Sequence, residues 1–207
     1  MRSLFACLAL VFGLGSTAVA DDTTNHWAVA LPTSMPSERA ALERALWGVF
    51  IDTLRPGDRY RVENATVPGR IAHISLPKDE AFTRAKRRAR HFREENARIH
   101  AHLTKMGAGP ALVDLPGLLR REALNRVDRE TPLALLVIGD MVQIFSDEPS
   151  FSMRGEAGGI QIPSDKHLSA SLSQTPWGLG DEGPRGLTGV ALHLCHQGGE
   201  ATLSSDA

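Results

Sequence analysis

Cysteine is scarce in this chain of 207 residues, which contains only Cys7 and Cys195. Charge of one sign is not in excess either, because 23 basic residues stand beside 24 acidic ones, so the overall charge indicates no particular partner. No apolar run approaches the roughly 20 residues of a membrane-spanning helix, so no membrane span is expected. The phosphate-binding loop, the dinucleotide-binding glycine fingerprint, Gly-x-Ser-x-Gly and His-Glu-x-x-His are absent, so the enzyme classes that carry them are not indicated.

The first 20 residues have the pattern of a secretory signal peptide. A single early charge, Arg2, precedes an apolar run from Leu4 to Leu14, and small residues form the triplet Ala18-Val19-Ala20. Cleavage after this triplet predicts a periplasmic or secreted protein of 187 residues, long enough for one sizeable core. Cys195 would then be its only cysteine, so no internal disulfide is expected. A lipoprotein modified at Cys7 is the alternative, although the apolar segment before this cysteine is short.

A strongly apolar stretch, Leu133–Ile138, predicts a central strand. It is apolar on both alternations, which is typical of a strand covered by helices on both faces of a parallel sheet. Gly139 and Asp140 follow it directly. Open α/β sheets place their sites outside the carboxyl ends of the strands, so Asp140 is a candidate site residue. A carboxylate that only caps a turn is the other interpretation.

The remaining segments predict an alternation of strands and helices. Short β-rich runs predict the strands, and apolar stripes at intervals of three and four predict the helices. Strands are expected at Trp27–Leu31, Asp58–Asn64, Arg70–Leu76 and Gly189–Cys195, and helices at Pro36–Leu54, Asp79–Met106 and Leu115–Val127. Pro68-Gly69, between the second and third strands of the chain, is turn chemistry and predicts a hairpin.

Together these elements predict one domain over residues 21–207. The expected fold class is a three-layer, doubly wound α/β arrangement with a mostly parallel sheet, in which the hairpin contributes one antiparallel edge strand. Residues 148–189 are rich in Gly, Ser and Pro and predict a long loop, with one short helix near residues 165–172.

The longest predicted helix, Asp79–Met106, carries a dense group of basic residues. Its apolar seam follows intervals of three and four and consists of Phe82, Ala85, Ala89, Phe92, Asn96, Ile99, Leu103 and Met106. Arg84, Arg87 and Arg88 belong to the basic group on the other faces. One interpretation is a solvated face over a stripe that packs on the sheet, and the other is a basic surface that binds a partner.

The order of the elements resembles the von Willebrand factor A-type (vWA) domain over about residues 27–198. Leu135–Val142 is similar to the family's central strand, which ends in an aspartate. Leu54–Asp58 is similar to the turn after its first helix, and Gly186–Leu192 to the entry of a late strand. The resemblance implies a surface at the carboxyl ends of the strands that docks another protein.

The family's divalent-metal site implies a ligand set that this chain holds only in part. The family uses an Asp-x-Ser-x-Ser motif after the first strand, a threonine in a later loop and the aspartate after the central strand. Here Ala30 or Leu31 stands where the first aspartate belongs, and the resemblance leaves Ser34, Asp114 and Asp140 as candidate binding residues. We therefore expect a degenerate metal site and no cofactor, with Mg²⁺ or Mn²⁺ at these three residues as the alternative.

A second cluster, His193-Leu194-Cys195-His196, contains residue types that bind zinc. On a strand, His193 and Cys195 face one side and His196 the other, so the three do not converge without a bend. A structural role is the preferred interpretation. The catalytic alternative is a small periplasmic hydrolase that uses Asp140 with His193 or His196, although the spacing matches no recognised catalytic motif.

Three functions stay open on the sequence alone. The first is a vWA-like module without catalytic activity that binds a protein partner in the cell envelope. The second is the small hydrolase. The third is electrostatic binding of nucleic acid or another anionic surface by Arg84, Arg87 and Arg88, of which nucleic acid is the less expected ligand. The sequence leaves the partner and the oligomeric state open.

Overall fold

The computed structural model describes residues 24–35, 39–109, 111–126, 129–139 and 183–196. The strands in this part of the chain are β1 His26–Leu31, β2 Arg59–Asn64, β3 Arg70–Ser75, β4 Leu133–Gly139 and β5 Val190–His196. The α-helices are α1 Arg39–Gly48, α2 Ala85–His91, α3 Arg93–Lys105, α4 Leu115–Asn125 and the single turn α5 Gly183–Gly186. A π-helical turn, Val49–Thr53, follows α1, and a 3-10 turn, Glu80–Thr83, precedes α2.

These strands form one sheet in the order β3-β2-β1-β4-β5. β1 pairs in parallel with β2 and β4, and β4 pairs in parallel with β5. β3 pairs antiparallel with β2 at one edge. The predicted α/β fold, with a mostly parallel sheet and one antiparallel edge strand, is therefore confirmed. The three-layer, doubly wound arrangement as a whole stays a prediction, because most of the connection between β4 and β5, residues 140–182, lies outside the described residues.

β4 contains the apolar run of the sequence and is buried between two neighbours. β1 lies on one side of it and β5 on the other. Leu135, Leu136, Val137 and Ile138 are each at most 2% exposed. They alternate between two apolar clusters, because successive side chains of a strand point to opposite faces of the sheet. The prediction of a strand covered on both faces is confirmed.

The two apolar clusters lie on opposite faces of the sheet. The larger contains Leu136 of β4 and Leu46 of α1, together with residues of β2, β3 and α3. The smaller contains Leu135 of β4 and Leu118 of α4. α1 and α3 thus contribute to the core on one face, and α4 contributes to the core on the other. Cys195 is buried in the larger cluster.

The hairpin of β2 and β3 forms where the Pro-Gly turn predicts it. Asn64 Oδ1 accepts hydrogen bonds from the backbone N–H groups of Thr66 at 2.8 Å and Val67 at 3.0 Å. The N–H of Asn64 donates to the carbonyl oxygen of Gly69 at 2.9 Å. An asparagine side chain thus closes the turn by bonding to the backbone two and three residues ahead.

The single long helix predicted over Asp79–Met106 is wrong. The segment is divided into the 3-10 turn, α2 and α3, with Arg84 and Phe92 at the two junctions. Phe92 leaves the helical conformation, with φ −105° and ψ 32°. The heptad seam is therefore interrupted at two positions, Arg84 and Phe92.

Arg88 gives the physical reason for this interruption. The side chain is 5% exposed, and its guanidinium donates to the carbonyl oxygens of Phe82, Phe50 and Ile51. Ala85, a position of the predicted seam, is exposed instead. α2 is thus rotated away from the predicted seam so that a charged residue faces the interior. The interpretation of Arg88 as part of an exposed basic surface is wrong.

Smaller differences concern the ends of helices. The first helix begins at Arg39 in the described part of the chain and ends in a π-helical turn. α4 ends at Asn125, two residues before the predicted end. α5 lies within the stretch 148–189, where the sequence predicts only a helix near residues 165–172. That predicted helix lies outside the described residues.

Candidate functional site

The candidate site lies at the carboxyl ends of the parallel strands, where two loops meet. Ser34, just beyond β1, forms a parallel backbone bridge with Gly107, which follows α3. The N–H of Met35 donates to the carbonyl oxygen of Gly107 at 3.0 Å, and the N–H of Gly107 donates to the carbonyl oxygen of Thr33 at 3.3 Å. The two loops are thus joined through their backbones.

We call these two loops the carboxyl-edge platform, which consists of residues 32–35 and 106–109. The side chain of Arg39 secures it, because Nη2 donates to the carbonyl oxygen of Gly107 at 3.0 Å. Thr33 and Ala108 are exposed at its surface. The platform is therefore held by backbone and side-chain hydrogen bonds while small residues face solvent.

The end of β4 is packed against the segment between α3 and α4. A Cβ atom at Gly139 would lie 2.6 Å from the carbonyl oxygen of Ala111, so this position requires glycine. Thr66 Oγ1 donates to the carbonyl oxygen of Leu112 at 3.1 Å, which ties the same segment to the hairpin turn. Asp140, the candidate that follows Gly139, lies outside the described residues.

Asp114 is the N-cap of α4. Its Oδ1 accepts a hydrogen bond from the backbone N–H of Gly117 at 2.9 Å. A Cβ atom at Gly117 would lie 2.6 Å from the carboxyl carbon of Asp114, so this form of the cap requires glycine three residues on. Pro116 in the first turn has no N–H that needs a partner. The structure thus gives this candidate binding residue a structural role.

The described residues at this edge supply only part of the ligand set of the resembled family's metal site. Ala30 and Leu31, which stand in place of the first aspartate, are fully buried apolar residues. The backbone of Ser34 is paired with that of Gly107. The carboxylate of Asp114 accepts a hydrogen bond from the N–H of Gly117 at the start of α4. Within the described ranges, no three His, Cys, Asp or Glu side chains are grouped closely enough to hold a metal ion. Asp140, the third candidate ligand, lies outside the described residues, so the degenerate metal site stays a prediction.

His193 and Cys195 lie on the face of β5 that belongs to the larger cluster. Their register partners on β4 are both members of that cluster. Cys195 is 1% exposed and His193 is half-buried. His196 ends β5, but its side chain, like Asp140, lies outside the described residues. The catalytic alternative therefore stays a prediction.

A basic face covers the exposed side of α2. We define it as Arg84, Lys86, Arg87, Arg90 and His91, which line a shallow cavity of about 600 Å³. The guanidinium carbon of Arg87 lies 5.1 Å from the ring centre of Phe82, and its Nη2 lies 3.9 Å from Oδ2 of Asp79. Two of the three arginines singled out from the sequence, Arg84 and Arg87, thus lie on one surface, and Arg88 does not.

A charged network between β2 and α4 was not predicted from the sequence. Arg61 of β2 forms an ion pair with Glu122 of α4, and its Nε lies 3.8 Å from Oε1 of Glu63. Glu122 is 5% exposed, and burial raises the pKa of Glu63. The sequence signal for this network is the alternation of Arg59, Arg61 and Glu63, which places three charged side chains on one face of β2. If a helix covers that face, its residues must supply polar or charged partners.

Comparison of the chain with models of protein families, with curated proteins and with solved structures found no match. No helix in the described part of the chain is long and apolar enough to cross a membrane. The described residues define an α/β protein whose mostly parallel sheet carries a hydrogen-bonded platform at its carboxyl edge. The likeness to the vWA domain therefore rests on the sequence motifs and their order.

Proposed function

We propose that the protein is a vWA-like module without catalytic activity that docks a protein partner of the cell envelope. It acts outside the cytoplasm, in the periplasm or in the medium, and its docking surface is the carboxyl-edge platform. The signal-peptide pattern of the first 20 residues supports the location. An N-terminus at Asp21, in protein recovered from outside the cytoplasm, is the expected result of cell fractionation and N-terminal sequencing.

The observation that supports the proposal most directly is that hydrogen bonds within the protein hold the platform in place. The backbones of Ser34 and Gly107 are paired, and Arg39 binds the carbonyl oxygen of Gly107. A surface that is fixed before binding loses little conformational freedom when a partner docks. The exposed Thr33 and Ala108 contribute shape and backbone groups to such a contact rather than charge.

The proposed docking does not use a bridging metal ion. In the resembled family the ion is held with the help of the first aspartate, and this chain has Ala30 or Leu31 at that position. Asp114 is bonded to the first turn of α4. Direct contacts with the backbone and with small side chains therefore replace metal-bridged contact in this proposal.

Enlarging one exposed residue of the platform tests the proposal. Wild-type protein, Ala108→Arg and the control Ser75→Arg would each be used to retrieve partners from an envelope fraction of the source cells. Both positions are exposed, but Ser75 pairs with Arg59 at the amino edge of the sheet. We expect Ala108→Arg alone to lose the partner that the other two retain. Retention by Ala108→Arg, or equal loss in both variants, would contradict docking at the platform.

Electrostatic binding of an anionic surface by the basic face is the second candidate. The observation that favours it is the placement of four cationic side chains around one cavity on α2. Affinity for anionic lipid vesicles would be measured at low and physiological salt for the wild type and for Arg84→Gln/Arg90→Gln. This candidate predicts affinity that falls steeply with salt and is lost in the variant. An affinity that is the same at both salt concentrations and in both proteins would contradict this candidate.

A further inference from the structure

A second polar groove extends along the hairpin from the edge of the sheet where β1, β2 and β4 begin. It has a volume of about 240 Å³ and lies between the hairpin and the C-terminal end of α4. The described residues that line it include Arg59, Arg61, Arg70, Arg126, His26 and His73, and none of the described lining residues is acidic. We call it the basic groove.

Strand pairing places several of these charges on one face of the hairpin. Arg61 of β2 lies opposite His73 of β3, and Arg59, two residues earlier, shares the face of Arg61. Arg70 lies opposite Glu63, which is the next β2 position on that face. The pKa of His73 reflects this arrangement, because burial lowers it and the charges of Arg70, Arg59 and Arg61 lower it further. The groove is therefore positive although carboxylates lie near it.

Two of the four arginines are committed to holding the fold. Arg61 is paired with Glu122, and Arg126 donates to the carbonyl oxygen of Thr188. Arg59 and Arg70, in contrast, are exposed and form no ion pair within the described part of the chain, although the charge of Arg70 opposes the rise in the pKa of Glu63. Like charges gathered in one groove repel each other and lower the stability of the fold. A bound anion would relieve the repulsion between these guanidinium groups, so their positions favour an anion-binding site.

We propose that the basic groove binds a phosphate group, either as inorganic phosphate or as the phosphate of a small monoester. A guanidinium presents parallel N–H donors that match two phosphate oxygens, and a dianion balances two unpaired arginines where a carboxylate balances one. The groove shares no residue with the carboxyl-edge platform, so the site is independent of the proposed function.

Isothermal titration calorimetry with two probes tests this proposal. Inorganic phosphate and phenyl phosphate would be titrated at constant ionic strength into the wild type, into Arg59→Gln/Arg70→Gln and into Arg44→Gln/Arg98→Gln. The last variant is the matched control, because it removes the same charge from exposed positions of α1 and α3 that line neither the groove nor the basic face. We expect the groove variant to bind at least about tenfold more weakly than the wild type and the control, because it loses charge-assisted hydrogen bonds.

Each outcome supports or overturns the proposal. Equal or weaker binding of phenyl phosphate identifies inorganic phosphate as the ligand, and tighter binding of phenyl phosphate identifies a monoester. Failure of the wild type to bind either probe at millimolar concentration would overturn the proposal, as would an equal loss of affinity in both variants. If the melting curve of the double variant is shifted, Arg59→Gln and Arg70→Gln would be titrated singly, and each should weaken binding.

Discussion

Arg88 is a charged side chain buried beside the apolar core of the larger cluster. It donates hydrogen bonds to carbonyl oxygens of the 3-10 turn and of the π-helical turn, so it joins α2 to two other elements. A run of arginines in a helix is typical of a solvated face, and no local pattern marks one of them as buried. The role of Arg88 therefore depends on contacts made across the fold.

Arg88→Met should lower the free energy of unfolding by roughly 2–4 kcal/mol, because the buried carbonyl groups would lose their donor. Arg90→Met removes an exposed arginine of the same helix and should change it by less than about 0.5 kcal/mol. Urea unfolding of the two variants measures both values. Equal effects would show that the guanidinium of Arg88 does not stabilise the fold.

His102 should make stability depend on pH. Its Nε2 atom is buried without a hydrogen-bond partner, and burial lowers its pKa. His102 therefore binds a proton more readily in the unfolded chain than in the folded protein. The free energy of unfolding is highest above the unfolded pKa of about 6.5, and it decreases as the pH falls towards the lower folded pKa. The free energy of unfolding should decrease between pH 7 and pH 5, and less steeply in His102→Gln. Urea unfolding over this pH range that gives the same slope for both proteins would contradict this.

Individual residue roles could be predicted where the signal is local. Asp114 stands before Leu-Pro-Gly, which is a helix-start pattern, although the resemblance to the vWA domain drew attention to it as a ligand. Arg61 and Glu122 are 61 residues apart in the chain, so the alternating charges of β2 indicate a covered charged face but do not identify Glu122 as the partner. No local pattern reveals the bridge between Ser34 and Gly107 that forms the platform.

At the scale of elements, the strands were predicted more accurately than the helices. β4 and the hairpin follow from an apolar run and a Pro-Gly turn, and both signals are local. The junction between α2 and α3 could not be predicted, because Phe92 is a buried apolar residue at a seam position. A continuous helix would also place an apolar residue there. The rotation of α2 depends on the hydrogen bonds of Arg88, which are tertiary contacts.

Leu136→Asp should unfold the protein. Leu136 is 2% exposed in a strand that has a neighbour on each side, and an unpaired buried charge costs several kcal/mol of the ~5–15 kcal/mol that stabilises a domain. Leu124→Asp is the matched control, because Leu124 is 73% exposed on α4. Thermal melting followed by circular dichroism compares the two variants. A cooperative melt of Leu136→Asp near that of the wild type would show that β4 is not part of the core.

At the scale of the whole molecule, the sheet separates two polar regions. The carboxyl-edge platform follows β1, and the basic groove extends along the hairpin from the edge where β1, β2 and β4 begin. The sequence predicts the mostly parallel sheet but not the order of its strands, which places β1 in the middle with β4 beside it. Strand order depends on packing between distant segments, so no single stretch of sequence contains it.

Divalent cations should leave the stability of the whole molecule nearly unchanged. The platform lacks the first aspartate of the resembled metal site, so magnesium or manganese at millimolar concentration stays at or below its dissociation constant. Binding of that strength stabilises by at most about 0.4 kcal/mol. Thermal melts with the metal and with a chelator should therefore coincide. A metal-dependent rise in melting temperature that disappears in Asp140→Ala would restore metal-bridged docking.

Site-specific photo-crosslinking tests the central claim, that a protein partner docks at the carboxyl-edge platform. Benzoylphenylalanine would replace Ala108 in the platform, Ser75 at the amino edge or Lys86 on the basic face, all of which are exposed. After irradiation in an envelope fraction, we expect a discrete protein adduct from position 108 alone, competed by unlabelled protein and unaffected by a chelator. Adducts from position 75 or 86 without one from position 108 would contradict docking at the platform.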